Sequence, residues 1–173
     1  MIRPEPSASG LFIDVSRQKL LREYWPRLRG AVESLTPDQV WWRPNEASNS
    51  IGNLLLHLNG NVRQWLITPF DGSADARDRP AEFAARQAIP PAALLERLGA
   101  TLEDASNVLS RLSEADLLRT LHIQGYTVSG LQAVFHVVEH FGMHYGQILY
   151  ITKLARGADL GFYRELDKTG RVP

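Results

Sequence analysis

Apolar residues recur three and four positions apart in four long stretches of the chain, and this spacing predicts amphipathic helices. The predicted helices cover residues 11–35, 48–68, 90–112 and 129–157. Within the first stretch, Pro26 is expected to kink or split the helix, and the second helix is expected to stop before Pro69. Four long helices with little strand predict an all-α fold, a four-helix bundle.

Shorter segments separate these helices. Residues 36–44 place a capping threonine before a proline and predict a short helical turn. Residues 70–83, FDGSADARDRPAEF, predict a charged loop. Residues 113–116 have the spacing of a capping box. Residues 117–129 carry β-branched and aromatic side chains around Gly125 and predict a short hairpin or an extended loop before the last long helix.

Composition excludes several classes of protein. The 173 residues, 44% of them hydrophobic, suit one core, so we expect residues 1–173 to form a single domain with a flexible lead-in over residues 1–10. Nineteen basic and nineteen acidic residues cancel, which gives no electrostatic reason to expect nucleic acid or a membrane as a partner. The chain has no cysteine, so disulfides, a thiol nucleophile and cysteine-based metal sites are excluded. We find no signal-peptide pattern and no apolar run near the roughly 20 residues of a membrane span, and we expect a cytoplasmic protein.

Three of the five histidines lie four residues apart in the segment HVVEHFGMH, residues 136–144. Helical residues advance by about 100° each, so His136, His140 and His144 fall on one side of the last predicted helix. The same side carries Gln147 and a set of mostly apolar residues: Ala133, Val137, Met143, Ile148 and Ile151. An unsatisfied buried imidazole costs about 1–3 kcal/mol, and one metal ion satisfies several imidazoles at once. Spacing alone does not decide between a metal site and structural histidines, nor between the pairs 136/140 and 140/144.

A further metal ligand should come from another helix, and His57 is the only other histidine on a long predicted helix. Its helix face is largely polar: Ser50, Asn53, Gly60, Asn61, Gln64 and Thr68. Two interpretations stay open at this point. The face is solvated, or it lines a wet cleft that opens onto a metal ion.

These segments resemble the DinB/YfiT-like superfamily of four-helix bundle proteins. The features that carry the resemblance are SIGNLLLH at residues 50–57, HVVEHFGMHYGQI at residues 136–148, and WWRP at residues 41–44. Their order along the chain covers nearly its whole length.

The resemblance implies a divalent metal ion, nickel or zinc, held by His57, His140 and His144. It is the resemblance that selects the pair 140/144 over the pair 136/140. His136, one turn earlier, and Gln147 would then surround the ligands without binding the ion.

The chain departs from the family at two positions. The residue after the first ligand of the last helix is commonly Glu and is here Phe141. The residue before Gly-Gln is commonly Arg and is here Tyr145. Without that glutamate, the metalloprotease mechanism of an HExxH motif has no support, and the departures weaken the transfer of any specific reaction.

Three neutral imidazoles leave a metal ion its charge and an open position, which is typical of a catalytic site. The resemblance implies an enzyme that activates a low-molecular-weight thiol for transfer to a small electrophilic substrate. A metal-dependent hydrolase and a non-enzymatic metal-binding or stress-response protein are the alternatives, and whether the protein is an enzyme stays open. Asn53, Asn61, Gln64 and an arginine of residues 75–79 are candidates for binding the cofactor, although a solvated surface accounts for each of them too.

Gly142 and Gly146 lie opposite the histidines on the last predicted helix. Glycine inside a helix costs about 1 kcal/mol relative to alanine, so two of them indicate the close approach of another helix, from the same chain or from a second copy. Relatives in the superfamily are often dimers, and we predict a homodimer.

Overall fold

A computed structural model describes residues 7–87 and 89–162 of the chain. The described part is mostly helical, with one small two-stranded sheet. The first half contains α1 (Ala8–Gln18), a π-helical segment (Lys19–Tyr24), α2 (Trp25–Glu33), α3 (Pro37–Trp41), α4 (Ile51–Val62), a second π-helical segment (Arg63–Ile67) and α5 (Thr68–Asp71). The second half contains α6 (Arg79–Ala84), α7 (Pro91–Leu109), α8 (Glu114–Leu118), β1 (Thr120–Ile123), β2 (Tyr126–Ser129) and α9 (Gly130–Arg156).

Two prolines inside long helices are each preceded by a π-helical segment. The backbone N–H of Trp25, just before Pro26, donates to the carbonyl five residues back, and the N–H of Thr68, just before Pro69, does the same. A proline ring clashes with the carbonyl four residues earlier, and a widened turn removes that clash. Pro26 therefore widens its helix without splitting it. The predicted stop before Pro69 is wrong, because the helix continues to Asp71.

The predicted helix starts agree well with the structure. Thr36, Ser50, Ser113 and Ser129 each cap a helix through a reciprocal capping box, so Ser50, and not Ser48, begins α4. The hairpin prediction is confirmed by β1 and β2, which pair antiparallel from Thr120 opposite Ser129 to Ile123 opposite Tyr126. Positive φ angles at Gln124 and Gly125, 56° and 83°, close the two-residue turn.

The long helices share one hydrophobic core. The segment α1–α2 packs against α7 and α9, and α4 packs against the same two helices from the other side. As a result α4 is buried on almost every face, including its polar residues. On α9, Phe141 is fully buried and its ring stacks on Tyr24 with centroids 6.1 Å apart. Within the described ranges, no helix combines the length and the apolarity that crossing a bilayer requires.

Three sequence-based boundaries need correction. Of the predicted flexible lead-in, residues 8–10 belong to α1, which Ser7 caps, and residues 1–6 lie outside the described part. The predicted charged loop over residues 70–83 contains the short helix α6, which Asp78 caps. Met143 was placed on the inward side of α9 but is 56% exposed, because it lies at the edge of the histidine stripe.

Candidate metal centre

Three histidine rings from two helices meet at one point of the molecule. Nε2 of His57, on α4, lies 3.1 Å from Nε2 of His140 on α9. Nε2 of His144, one turn further along α9, lies 3.2 Å from the same atom of His140. One ring nitrogen from each of the three residues falls within 4.8 Å of the others. The structure therefore brings together the three histidines that the resemblance selected.

His57 is oriented by a buried carboxylate. Its Nδ1 lies 2.9 Å from Oε2 of Glu82, and both side chains are less than a tenth exposed. An ionised carboxylate only accepts hydrogen bonds, so Nδ1 of His57 carries the hydrogen, and in the neutral ring Nε2 keeps its lone pair. That lone pair points at His140.

Glu82 is itself held by a two-point ion pair with Arg77. Nε of Arg77 donates to Oε1 of Glu82 at 2.7 Å, and Nη2 donates to Oε2 at 2.9 Å. The third nitrogen, Nη1, donates to Oε1 of Gln64 at 2.8 Å, and the Gln64 amide donates to Asp75 at 2.7 Å. The positive charge of Arg77 compensates the negative charge of the Glu82 carboxylate behind His57.

On α9 the two histidines are held by weaker partners. Nδ1 of His144 lies 2.7 Å from the amide oxygen of Gln147, so this nitrogen donates and Nε2 of His144 is also left with a lone pair. Nδ1 of His140 is buried and has no hydrogen-bond partner among the described residues. The proton of a neutral His140 is therefore placed on Nε2, between the Nε2 lone pairs of His57 and His144. A single N–H can form a well-aligned hydrogen bond to only one of these two acceptors.

Burial keeps the histidines of α9 neutral. The pKa of His140 is lowered to about 3, mainly by burial and in smaller part by the positive charge that His144 and His57 would carry. Burial also lowers the pKa of His136 and that of His144, although the hydrogen bond from His144 to Gln147 opposes the shift. For Glu82, burial alone would raise the pKa of the carboxyl, but the hydrogen bonds from Arg77 and His57 outweigh it and lower that pKa.

This donor set fits a divalent metal ion. Metal ions bind neutral imidazole, and the α9 histidines are neutral at pH 7 for the reason given above. At Zn–N bond lengths of about 2.0–2.1 Å, two ligands in tetrahedral geometry are separated by about 3.3 Å, close to the 3.1 and 3.2 Å between the Nε2 atoms. The lone pairs of His57 and His144 converge with one proton between them, an arrangement that a cation stabilises.

His136 lies next to this group but faces a different partner. Its Nε2 lies 3.2 Å from the amide nitrogen of Asn61, and its ring packs on Trp65 with centroids 4.1 Å apart. The distance between the His136 and His140 ring centroids is 5.2 Å. His136 is therefore in the surrounding layer, as is Gln147. The fifth histidine, His122, is exposed in the hairpin and lies 3.1 Å from Thr127.

Most of the polar face of α4 is covered by the chain itself, and only Gly60 and Thr68 at its outer part line a surface cavity. Asn53 is fully buried, and its amide donates to the backbone oxygens of Glu82, Phe83 and Ala85 at the end of α6. Asn61 is 3% exposed and Gln64 is 9% exposed, and both have partners within the chain, as described above. Asn53 thus anchors α6, and contact between Asn61 or Gln64 and a cofactor stays a prediction. At Asn53, Asn61 and Gln64 neither interpretation holds, because the segment before α7 folds over them.

Sequence reasoning missed Glu82 and did not single out Arg77 within residues 75–79. Both lie in the stretch that reads as a charged loop. Two features of the sequence point to more order there: Asp78 followed by Pro80 is typical of a helix start. Gly60, on the polar face of α4, marks a place where another group approaches closely. A Cβ at Gly60 would overlap Oε1 of Glu82 and lie 2.8 Å from Nε of Arg77.

Two large surface cavities formed by the described residues do not open onto the histidines. A cavity of about 480 Å³ lies against the outer side of the Arg77–Glu82 pair, and a groove of about 670 Å³ lies between α2 and α7. No histidine lines either of them. The cluster is instead most accessible from the α9 side, where Gln147 is exposed and His144 is partly buried.

The two glycines of α9 have different surroundings. A Cβ at Gly142 would lie 3.1 Å from the hydroxyl of Tyr24, so the close approach predicted there comes from the first helical segment of the same chain. A Cβ at Gly146 would meet nothing within 4 Å. The predicted homodimer is not tested by this geometry.

Comparison with known proteins places the chain in a family and supports the fold. A family model described as "Protein of unknown function (DUF1572)" matches residues 7–163. No curated protein matches the chain significantly. Among solved structures, the chain is similar to one described as "Crystal structure of the conserved protein of locus from Enterococcus faecalis", with a TM-score of 0.71 and 17% identity over 84% of this chain and 97% of that one. At this identity the likeness shows the fold alone.

Proposed function

The chain belongs to the DUF1572 family, and we propose that it is a divalent-metal-binding protein with a DinB-like four-helix bundle fold. His57, His140 and His144 are the ligands in this proposal, and zinc or nickel is the ion. One observation carries the proposal: the Nε2 atoms of three histidines from two helices converge at 3.1 and 3.2 Å. Imidazole ligands suit both metals.

An enzymatic role is the finer part of the proposal. A divalent ion held by three neutral imidazoles keeps an open position and acts there as a Lewis acid that favours the ionised form of a thiol or of water. The chain's own part is to hold the ligand rings, through Glu82 and Gln147, and to leave the His144 side accessible to a small molecule.

The surroundings favour a thiol over water as the nucleophile. Hydrolysis through water uses a general base, and the carboxylate nearest the cluster, Glu82, is fully engaged by Arg77 and His57. Glu139 is exposed. A thiol that loses its proton to solvent needs no such base, and its sulfur can then form a bond to an electrophilic carbon while the leaving group departs with the bonding electrons. We therefore propose thiol transfer to a small-molecule electrophile, with hydrolysis as the second candidate.

A homodimer belongs to the same proposal. Leu131, Phe135, Tyr150 and Leu154 of α9 are all more than 40% exposed, and they share a face with Gly146. A second copy of the chain would cover this face. Sedimentation velocity at micromolar concentration tests it, since a single species at the mass of one chain contradicts the dimer.

Metal content is the first test of the proposed function. Purified, untagged protein is stripped with a chelator, titrated with zinc or nickel by calorimetry, and analysed by plasma mass spectrometry. We expect one ion per chain for the unaltered protein and for His122→Ala, which removes a histidine outside the cluster. We expect His140→Ala to lose the ion while keeping its helical circular dichroism.

Two outcomes contradict the proposal. Either the protein takes up neither metal, or His140→Ala binds as tightly as the unaltered chain. In both cases the cluster is a set of structural histidines.

A further inference from the structure

The buried ion pair between Arg77 and Glu82, behind His57, is not explained by packing alone. Arg77 and Glu82 have side chains 4% and 9% exposed, and they form a bidentate pair inside the protein. Such a pair loses its hydration on folding, and apolar residues of similar size are often equally stabilising in its place. Stability alone therefore gives no reason for an arginine and a glutamate here, and a role in specifying geometry does.

We infer that the Arg77–Glu82 pair is a positioning device that fixes which nitrogen of His57 carries the proton, and so aims the lone pair of Nε2 at the cluster. The inference rests on the proposed function for its purpose but not for its geometry. Neither residue is proposed to touch the metal ion or a substrate.

Two partners compete for Nδ1 of His57. Oε2 of Glu82 lies 2.9 Å from it and accepts a hydrogen bond, whereas Nη2 of Arg77 lies 3.0 Å from it and can only donate. While Glu82 is present, its carboxylate is the preferred partner of Nδ1, because the hydrogen bond to it is charge-assisted and because Nη2 of Arg77 donates to the same carboxylate. Without Glu82 the arginine N–H would donate to Nδ1, and the proton of His57 would move to Nε2, where it blocks the lone pair.

The carboxylate is held in register with His57 by the same helix that carries His57. Asn53 lies one turn before His57 on α4 and binds three backbone oxygens at the end of α6, with distances of 2.9, 3.0 and 3.4 Å. The short helix α6 therefore cannot slide along α4 without breaking these bonds. Because Asn53 and His57 belong to the same helix, they keep a fixed separation, and Glu82 stays opposite Nδ1 of His57.

Gly60 completes the device on the next turn of α4. The position is inside the helix, where alanine is favoured over glycine. A Cβ there would overlap Oε1 of Glu82 and crowd Nε of Arg77. The absence of a side chain at residue 60 is what lets the ion pair pass close to the helix and reach His57.

The test measures the tautomer of His57 in the metal-free, full-length protein. Nitrogen-15 NMR of the imidazoles, assigned with single His→Gln variants, distinguishes a proton on Nδ1 from one on Nε2. We expect Nδ1–H for the unaltered chain and Nε2–H for Glu82→Ala. Gly60→Ala displaces the carboxylate without removing any charge, so it should show the same change. Gly30→Ala, a helix-interior glycine with open space around it, is the matched control and should keep Nδ1–H.

Metal affinity is the second readout. Outer partners of ligating histidines are typically worth about 10–100-fold in affinity, and we expect a loss in that range for Glu82→Ala and for Gly60→Ala. Glu82→Gln keeps an acceptor oxygen and should recover part of the loss and the Nδ1–H tautomer. If Glu82→Ala does not fold, Gly60→Ala and Glu82→Gln decide the question on their own.

The two proposals fail differently. An unaltered chain that binds no zinc contradicts the proposed function, while the tautomer measurement still decides the inference. A His57 tautomer that stays Nδ1–H in both Glu82→Ala and Gly60→Ala overturns the inference, even if the chain binds zinc tightly.

Discussion

The two sides of the histidine cluster are built in opposite ways. On the α4 side, His57 is 5% exposed and is backed by an ion pair that is itself anchored to the same helix. On the α9 side, His140 and His144 are partly buried, and their partners are an exposed amide and, for Nδ1 of His140, no group among the described residues. One side is fixed by charge and burial, and the other mainly by the four-residue spacing of a helix.

This difference separates the two tasks of such a site. A rigid partner on α4 sets where the cluster forms, because His57 cannot turn without breaking its hydrogen bond to the buried carboxylate of Glu82. The less constrained pair on α9 would be the side that adjusts its rings when a metal ion binds. The accessible side of the cluster is also the α9 side. The histidine rings that can adjust are therefore the ones that a small molecule reaches first.

The largest effect is expected when the positive charge of Arg77 is removed from the α4 side. Arg77→Met leaves Glu82 buried without its partner, and breaking a buried ion pair by removing one member costs about 3–5 kcal/mol. We expect a loss of that size in the free energy of unfolding, measured by urea denaturation of the metal-free protein at pH 7.5.

The double variant Arg77→Met, Glu82→Leu is the control for that measurement. It removes both charges at similar volume, so most of the lost stability should return, since the unpaired charge and not the missing contact is the expected cause. A single variant within about 0.5 kcal/mol of the unaltered chain would show that water reaches Glu82 and that the α4 side is not fixed by charge.

Sequence reasoning succeeded on the α9 side for a physical reason. A helix places residues four apart on one face regardless of what surrounds it, so the grouping of His140 and His144 could be predicted from spacing. The capping box at Ser113 and the turn around Gly125 are likewise local, and the structure confirms the elements that they predict. The choice between the two histidine pairs needed the resemblance.

The α4 side could not be predicted in the same way because its partners are distant in sequence. Glu82 follows His57 by 25 residues, across a stretch whose charges are typical of a solvated loop. Asn53, Asn61 and Gln64 are polar, and only the folding of α6 over α4 makes them buried. The two π-helical segments were missed too, since proline in a helix predicts a break and gives no measure of how a widened turn avoids it.

A pH titration of stability sharpens the comparison. The α9 histidines and Glu82 of the α4 side should change the free energy of unfolding in different pH ranges. His140, with a folded pKa of about 3 against an ordinary value of 6.5, stays neutral in the folded state while the unfolded chain takes up a proton below pH 6.5. The unfolded state then binds more protons, so stability is fully present above pH 6.5 and is lost as pH falls. The lowered pKa values of His136 and His144 act in the same direction.

Each such histidine contributes a slope of at most about 1.4 kcal/mol per pH unit. We therefore measure the urea midpoint of the metal-free protein at pH 7.5, 6.5 and 5.5. The midpoint should decrease as the pH falls below 6.5, and it should decrease less steeply in His140→Gln. The lowered pKa of Glu82 has the same sign but acts only below its ordinary value of 4.5, so Glu82 should add to the loss only at lower pH. A flat profile between pH 7.5 and 5.5 would mean that the α9 histidines are protonated as readily in the folded chain as in the unfolded one.

The smallest expected effect comes from the α9 side's own partner. Gln147→Ala removes the oxygen that accepts from Nδ1 of His144 at 2.7 Å, but the position is exposed and a water molecule can accept the same hydrogen bond. We therefore expect a loss of zinc affinity near the lower, roughly tenfold end of the range for outer partners, and clearly less than the loss in Glu82→Ala under the same calorimetric conditions. Equal losses would mean that His144 is fixed as firmly as His57, and the contrast between a rigid and an adaptable side of the cluster would then have to be given up.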